Sequence, residues 1–175
     1  GLVGSGSGAT PTGILNTSGV GDQSCAGSYP DYDDLLAIWS DVGVSNAAIG
    51  SLAWVFNAKM AATLKQVYPN TTGGDTPVLE GDIMNGTILG IPALVSNQIA
   101  NTFGSGDTST SGALTAIIFG NFADCIIGQW SGVDVIVDPY SNSTTGAVRI
   151  SMFQEADIAI RHAESFSQTS NAATK

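Results

Sequence analysis

Apolar and polar positions repeat along this chain with two different periods, and the change of period marks its elements. Leu35, Ile38, Trp39 and Val42 recur at helical spacing just after Pro30, and Asp31, Asp33 and Asp34 stand where a helix dipole favours negative charge. The spacing predicts a helix over about Tyr32 to Val42, stopped by Gly43, with Trp39 on its apolar face. Leu52 to Phe56 is a short run of branched and aromatic residues that suits a buried strand, so Trp54 is expected in the core, joined through Trp39 to the helix. Asn57 can cap a second helix carrying Met60, Leu64 and Val67 on one face and ending before Pro69. Thr87 to Ser96 reads as strand broken at Gly90 and Pro92, the mark of an edge strand or a bulge. Thr115 to Phe119, Cys125 to Trp130 and Val133 to Val137 are further strand-like runs separated by turn residues.

The longest alternation comes last. Val148, Ile150, Met152, Ala156, Ile158 and Ile160 fall on one face, and Arg149, Ser151, Glu155, Asp157 and Arg161 on the other. That predicts one long strand, running to about Ala163, with one wet side. Between these elements the chain is polar or glycine-rich. Gly1 to Gly27 reads as loop with one short strand, Pro69 to Pro77 as loop, and Asn101 to Gly112 as a mobile loop. Ser165 to Lys175 reads as a disordered tail. The predicted class is α+β, with two helices and a mainly antiparallel sheet.

Composition narrows the functional classes. The chain has 175 residues, enough for one domain with a real core. Only 11% of its residues are charged, so parts of its surface are poor in charge, as the centres of protein interfaces are. The net charge is −10, and the basic residues Lys59, Lys65, Arg149, Arg161 and Lys175 are scattered, which argues against direct binding to nucleic acid. No apolar run approaches the ~18 residues of a membrane span, and no cleavable leader is visible. Cys25 and Cys125 fit no metal or redox spacing and read as separate thiols in a reducing compartment. Four Asn-X-Ser/Thr matches, at Asn16, Asn70, Asn85 and Asn142, are what chance gives in a chain rich in these residues.

Candidate chemistry is sparse. Gly4-Ser5-Gly6-Ser7-Gly8 lacks the preceding strand and following helix of a phosphate-binding loop, and reads as a flexible glycine turn. His162 is the single histidine, no serine stands in a nucleophile elbow, and the strand pattern accounts for His162 as a strand-end side chain. Glu155 and Asp157 point to one face and could pair with Arg149, Arg161 or a neighbouring chain. Asp31, Asp33 and Asp34 are helix-start charges. No catalytic residue, metal ligand or cofactor site is therefore assigned.

The order of short motifs carries more than any one of them. Gly4 to Gly8 followed by Pro11-Thr12-Gly13-Ile14-Leu15-Asn16, then Trp54-Val55-Phe56-Asn57 leading to Leu64-Lys65, resembles the major capsid proteins of tailed phages. So do Leu89-Gly90-Ile91-Pro92-Ala93-Leu94-Val95-Ser96, Phe119-Gly120-Asn121-Phe122, Val135-Ile136-Val137-Asp138-Pro139-Tyr140, and the last strand through Arg149 to Ala163. Near Glu155 or Ala156 the family commonly has a basic residue, which is absent here. The resemblance covers about Leu2 to Phe166. It implies the Hong Kong 97-type capsid fold and a structural subunit of an icosahedral head that works by self-assembly, in the virion, after assembly in the bacterial cytoplasm. It also implies a division into an entry segment (1–30), an axial domain (31–146) meeting its copies around capsomer centres, a returning peripheral-domain strand (147–165) and a tail (166–175). In that family an N-terminal arm, an extended loop and a spine helix would precede Leu2, so the stretch reads as a part that folds without building shells. The partners implied are other copies of the chain, in pentamers and hexamers of the full protein, with no nucleic acid or membrane bound by this portion. Encapsulin-type compartment shells share the fold, but the Pro11–Asn16 passage favours a phage head. A secreted Ser/Thr/Gly-rich hydrolase or adhesin is the rival of another class, and a site joining His162 to a serine and an aspartate would favour it.

Overall fold

Asp31 starts the first helix by a reciprocal cap. Its carboxylate accepts the Asp34 N–H at 2.9 Å, and the Asp34 carboxylate accepts the Asp31 N–H at 3.1 Å. In the computed structural model, which describes residues 2–8, 10–69, 76–100 and 114–174, this helix is α1 (Tyr32–Val44). The loop expected to be mobile over 101–112 lies outside the described residues, as does most of the loop after Pro69. Asn57 caps α2 (Ala58–Leu64) as expected, its side-chain oxygen accepting the Met60 N–H at 2.8 Å. The strands are β1 (Gly21–Asp22), β2 (Leu52–Phe56), β3 (Thr87–Ile88), β4 (Ile91–Val95), β5 (Leu114–Asn121), β6 (Cys125–Gln129), β7 (Asp134–Asp138), β8 (Arg149–Phe153), β9 (Ala156–Ile160) and β10 (Phe166–Ala173). The fold is α+β.

Six of these strands form one sheet, in the order β1-β10-β5-β2-β4-β3, with β1 on β10 and β4 on β2 parallel and the other pairs antiparallel. Both of its faces are covered, which is why β2 and β5 read as continuous apolar runs. Toward one face, Trp54, Phe56, Ile117 and Phe119 pack with Leu35, Ile38 and Val42 of α1 and Met60, Ala61 and Leu64 of α2. Toward the other, Val55, Ala116 and Ile118 pack with Ile14 and Phe166. Trp54 lies opposite Phe119 across the β2–β5 ladder, and their ring centroids are 4.3 Å apart. At the sheet edge, β3 and β4 turn through Leu89 and Gly90, both at positive φ, the geometry of a two-residue hairpin turn.

Three expectations are corrected here. Trp39 is 38% exposed and outside the core, whereas Trp54 is fully buried. The buried stripe of α1 is Leu35, Ile38 and Val42, and at ~100° per residue Trp39 stands about 65° from its centre, on the shoulder.

The tail is not disordered, since residues 166–173 are β10, lying between β1 and β5 with Phe166, Ser167, Gln168 and Thr169 buried. Two of its polar side chains find remote partners and one a local partner: Ser167 Oγ donates to Asp41 Oδ2 at 3.0 Å, Gln168 Nε2 to Leu15 O at 3.2 Å, and Thr169 Oγ1 to the nearby Asn171 Oδ1 at 2.9 Å. Gly120 lets β10 lie this close, because a Cβ there would stand 2.4 Å from Ser165 O.

The third correction concerns the single long strand after Val148. It is two strands, β8 and β9, interrupted at Gln154 and Glu155, and their partners come from the same chain. β9 pairs with β6 and β8 with β7, so 125–138, placed with the axial domain from sequence, and 149–160 form one antiparallel arm. The two ladders join where Trp130 N donates to Glu155 O at 3.2 Å and Glu155 N to Ser131 Oγ at 3.2 Å.

Candidate assembly surface

The arm is built from residues of high β-propensity that the body does not cover. In the outer ladder Val135 faces Met152 and Val137 faces Ile150 as direct cross-strand pairs on one side, and Ile136 and Phe153 lie on the other. All six are exposed, Met152 at 69%. In the inner ladder Ile127, paired with Ile158, is 72% exposed, and Trp130 at the junction is 71% exposed. The alternation read from sequence therefore separates two sides of a ribbon, and beyond its root, where Cys125 and Ile160 are half-buried, neither side is covered by the body.

The tip is closed by Asp138. Its Oδ1 accepts the N–H groups of Tyr140 at 2.8 Å and Ser141 at 3.2 Å, and its Oδ2 accepts the Ser141 hydroxyl. These bonds, the Ser141 hydroxyl first, hold the Asp138 carboxyl below its ordinary value. The Asp138-Pro139-Tyr140 motif is thus a turn-forming device, with Tyr140 left 83% exposed.

At the root, Asp124 ties the two rails together. It sits in a short 3-10 turn (Phe122–Asp124) between β5 and β6, and is buried. Its Oδ1 accepts Arg161 Nε at 3.0 Å and the Arg161 guanidinium NH2 at 2.5 Å, and its backbone oxygen accepts the Arg161 N–H at 2.9 Å. Its Oδ2 accepts Ser165 Oγ at 2.8 Å and Asn121 Nδ2 at 3.2 Å. The Ser165 hydrogen bond and the Arg161 guanidinium hold its carboxyl below the ordinary carboxylate range.

Sequence reasoning placed Arg161 on the wet side of a strand, with Glu155 or Asp157 or another chain as its partner. The structure gives it Asp124, and Asp157 instead accepts the Ile158 N–H at 2.8 Å. Asp124 was missed because its partners are distant in the chain, and the one available signal was its place just after the Phe119–Phe122 motif.

His162 is exposed and lines an open hollow of about 300 Å³ with Asp124, Arg161, Glu164, Ser165 and the loop 45–49. Asp124 is held by Arg161 and Ser165 rather than by His162. Cys25 is buried, and burial pushes its thiol up to about 12, far from a reactive thiolate. The glycine stretch is a tight loop folded on the segment after it. Ser5 bridges Thr12, Gly13 N donates to Gly4 O at 2.9 Å, and a Cβ on Gly4 would meet Pro11 O. Its glycines serve close backbone approach. Among the described residues no group of three or more metal-ligating side chains occurs, and no helix is long and apolar enough to cross a membrane.

The molecule is thus a sheet buried on both faces, with an apolar ribbon whose outer part is exposed. The sequence profile of the phage capsid family matches residues 1–169, and the chain belongs to that family. Over 167 residues it is 23% identical to the major capsid protein of Halomonas phage phiHAP-1, a stretch that takes in 95% of this chain and 24% of that protein. Among solved structures it resembles the capsid of a native GTA particle, at a TM-score of 0.66 and 19% identity, covering 97% of this chain and 59% of that one. It also resembles a solved structure from Mycobacterium phage Ogopogo, at 0.59 and 17%, covering 93% and 56%. A holo-SrpI encapsulin complex from Synechococcus elongatus follows at 0.55 and 15%, covering 92% and 56%. The chain therefore spans about a quarter of the curated relative and less than two thirds of these structural neighbours. The likenesses show an α+β capsid fold with two helices and a mainly antiparallel sheet.

Proposed function

We propose that this chain is the shell-building part of an icosahedral phage or prophage head of the Hong Kong 97 type, acting by self-assembly into capsomers. The observation that carries this reading is the arm. A two-stranded ribbon is marginal in water by itself, and this one leaves Ile127, Ile150, Met152 and Phe153 uncovered. Covering that surface is favoured by about 25 cal/mol per Å² of apolar area, and a repeated, symmetric contact between copies supplies such cover in every subunit at once.

In this assignment the sheet with α1 and α2 is the axial domain, meeting its copies around pentamer and hexamer centres. The arm is the peripheral element between neighbouring capsomers. The protein works in the virion after assembly in the host cytoplasm, and its role needs no catalytic side chain, metal or cofactor. Its acidic balance suits a shell that encloses DNA without gripping it through this portion. An encapsulin-type compartment would use the same fold, and the higher likeness to the GTA capsid, together with the Pro11–Asn16 passage, supports the phage head.

The test replaces Ile127, Ile150 and Met152 together by serine in the full-length gene product. Electron microscopy should then show loss of closed particles while the thermal melt of the unassembled subunit is retained. Normal shells from this variant would refute the reading of the arm.

A further inference from the structure

We propose that Asp124 is a latch that fixes the angle at which the arm leaves the body. The arm departs after β5 and returns before β10, two strands that are neighbours in the sheet. Between them stand only the turn Phe122–Asp124 on the outgoing rail and Arg161 to Ser165 on the returning one. Two short connections form a hinge unless something crosses it.

Asp124 crosses it. One carboxylate oxygen takes the guanidinium of Arg161 on the opposite rail, and the other takes the hydroxyl of Ser165, at the start of the strand that re-enters the body. Asn121 donates to the same oxygen and anchors the group to β2, because its own side-chain oxygen accepts the N–H of Ser51 at 3.1 Å. Three residues thus converge on one side chain: Asn121 at the end of β5, and Arg161 and Ser165 on the returning rail. The carboxylate is buried, whereas the Arg161 side chain is 60% exposed, so the latch has a fixed receptor and a bolt that reaches it from solvent. Apolar packing at the same place is thinner. Phe122 meets Phe166 edge to face at 5.5 Å, and Cys125 and Ile160 are half-buried against the Ile14 and Phe166 cluster. Such contacts resist separation but are less directional than charge-assisted hydrogen bonds from two guanidinium nitrogens to one carboxylate oxygen.

In the shell read above, the arm angle decides where its apolar surface meets a neighbouring subunit. The latch rests on that reading for its purpose and on the local geometry for its existence.

Asp124→Asn keeps the shape of the side chain and removes its charge. Residual dipolar couplings of the backbone amides in the unassembled chain report orientation directly. In the parent, β5, β10, β6 and β9 should fit a single alignment. In Asp124→Asn the arm amides should lose that common fit while the sheet amides keep it, with the melt of the body retained. Arg161→Gln, at a largely exposed side chain, should produce the same loss and serves if Asp124→Asn does not fold. An arm that still shares the alignment of the sheet in a folded variant overturns the latch and leaves the apolar root in charge. Such a result leaves the reading of the shell standing if the triple serine variant still abolishes particles. Conversely, a freed arm together with normal shells from the triple variant would keep the latch and remove the assembly reading.

Discussion

The body and the arm are made of the same kind of strand and end in opposite environments. β2 and β5 are apolar runs covered on both faces, and β6 to β9, beyond the root where Cys125 and Ile160 are half-buried, are apolar ribbons left largely exposed. Strand propensity therefore does not report burial in this chain. What separates the two regions is neighbours: helices α1 and α2 and the N-terminal segment lie over the sheet, and among the described residues no comparable layer lies over the outer part of the arm. Any layer over the outer part of the arm comes from outside the described residues, which is the physical basis of the proposed assembly role.

Hydrogen exchange puts the contrast to its hardest test. In the unassembled chain, amides of the β6–β9 and β7–β8 ladders should exchange at least about a hundred-fold faster than those of β2 and β5, because local opening of an uncovered ribbon needs far less free energy than global unfolding. Equal protection in a proven monomer would mean that something in this chain covers the arm after all.

Side-chain truncation separates the regions by stability. Trp54→Ala should cost about 3–5 kcal/mol in chemical denaturation, since the ring is fully buried against Phe119. Ile150→Ser, on the arm, should stay within about 0.5 kcal/mol. A loss at Ile150 near that at Trp54 would erase the distinction.

Gly120→Ala probes the seam where β10 meets β5. The added methyl group has no room beside Ser165 O and Phe166, so a loss of about 1–3 kcal/mol is expected in the same assay. A neutral result would show that the two strands lie farther apart.

Acid gives a smaller effect, confined to the root. The folded Asp124 carboxyl lies below its ordinary value, so the unfolded chain binds its proton first as pH falls. The stabilisation is complete above the ordinary value of 3.8 and is lost as pH drops through the lower, folded value. Arg161, His162 and Glu164 are the charged or titratable groups around the hollow, and the 45–49 loop contributes none. Comparing acid unfolding of the parent with Asp124→Asn should show a shallower decline in the variant below about pH 4. Identical slopes would mean that the carboxylate has no folded-state preference for its charge.

How much of this could be read from the sequence depends on how far each cause lies along the chain. Asp31, Leu35, Ile38 and Val42 announce α1 because a cap and a stripe are local. Asn57 announces α2 for the same reason. Trp39 went astray because periodicity gives the direction of a face but not the width of what covers it. β10 was illegible because Ser167 and Gln168 look like solvent-exposed residues until Asp41 and Leu15, far back in the chain, are beside them. Asp124 shows the limit most plainly: its partners Arg161 and Ser165 come 37 and 41 residues later.

The position of β10 also bears on how the protein is made. The body sheet places its late strand between β1 and β5, so a nascent chain that has already emitted β5 must still synthesise the whole arm before the vacancy is filled. At translation speeds of about 5–20 residues per second, that interval is roughly two to nine seconds. Throughout it, the edge of Thr115 to Gly120 is open to any strand that arrives. On a polysome making many copies at once, the nearest such strand belongs to a sister chain, so crowding during translation sets a premium on finishing each chain quickly.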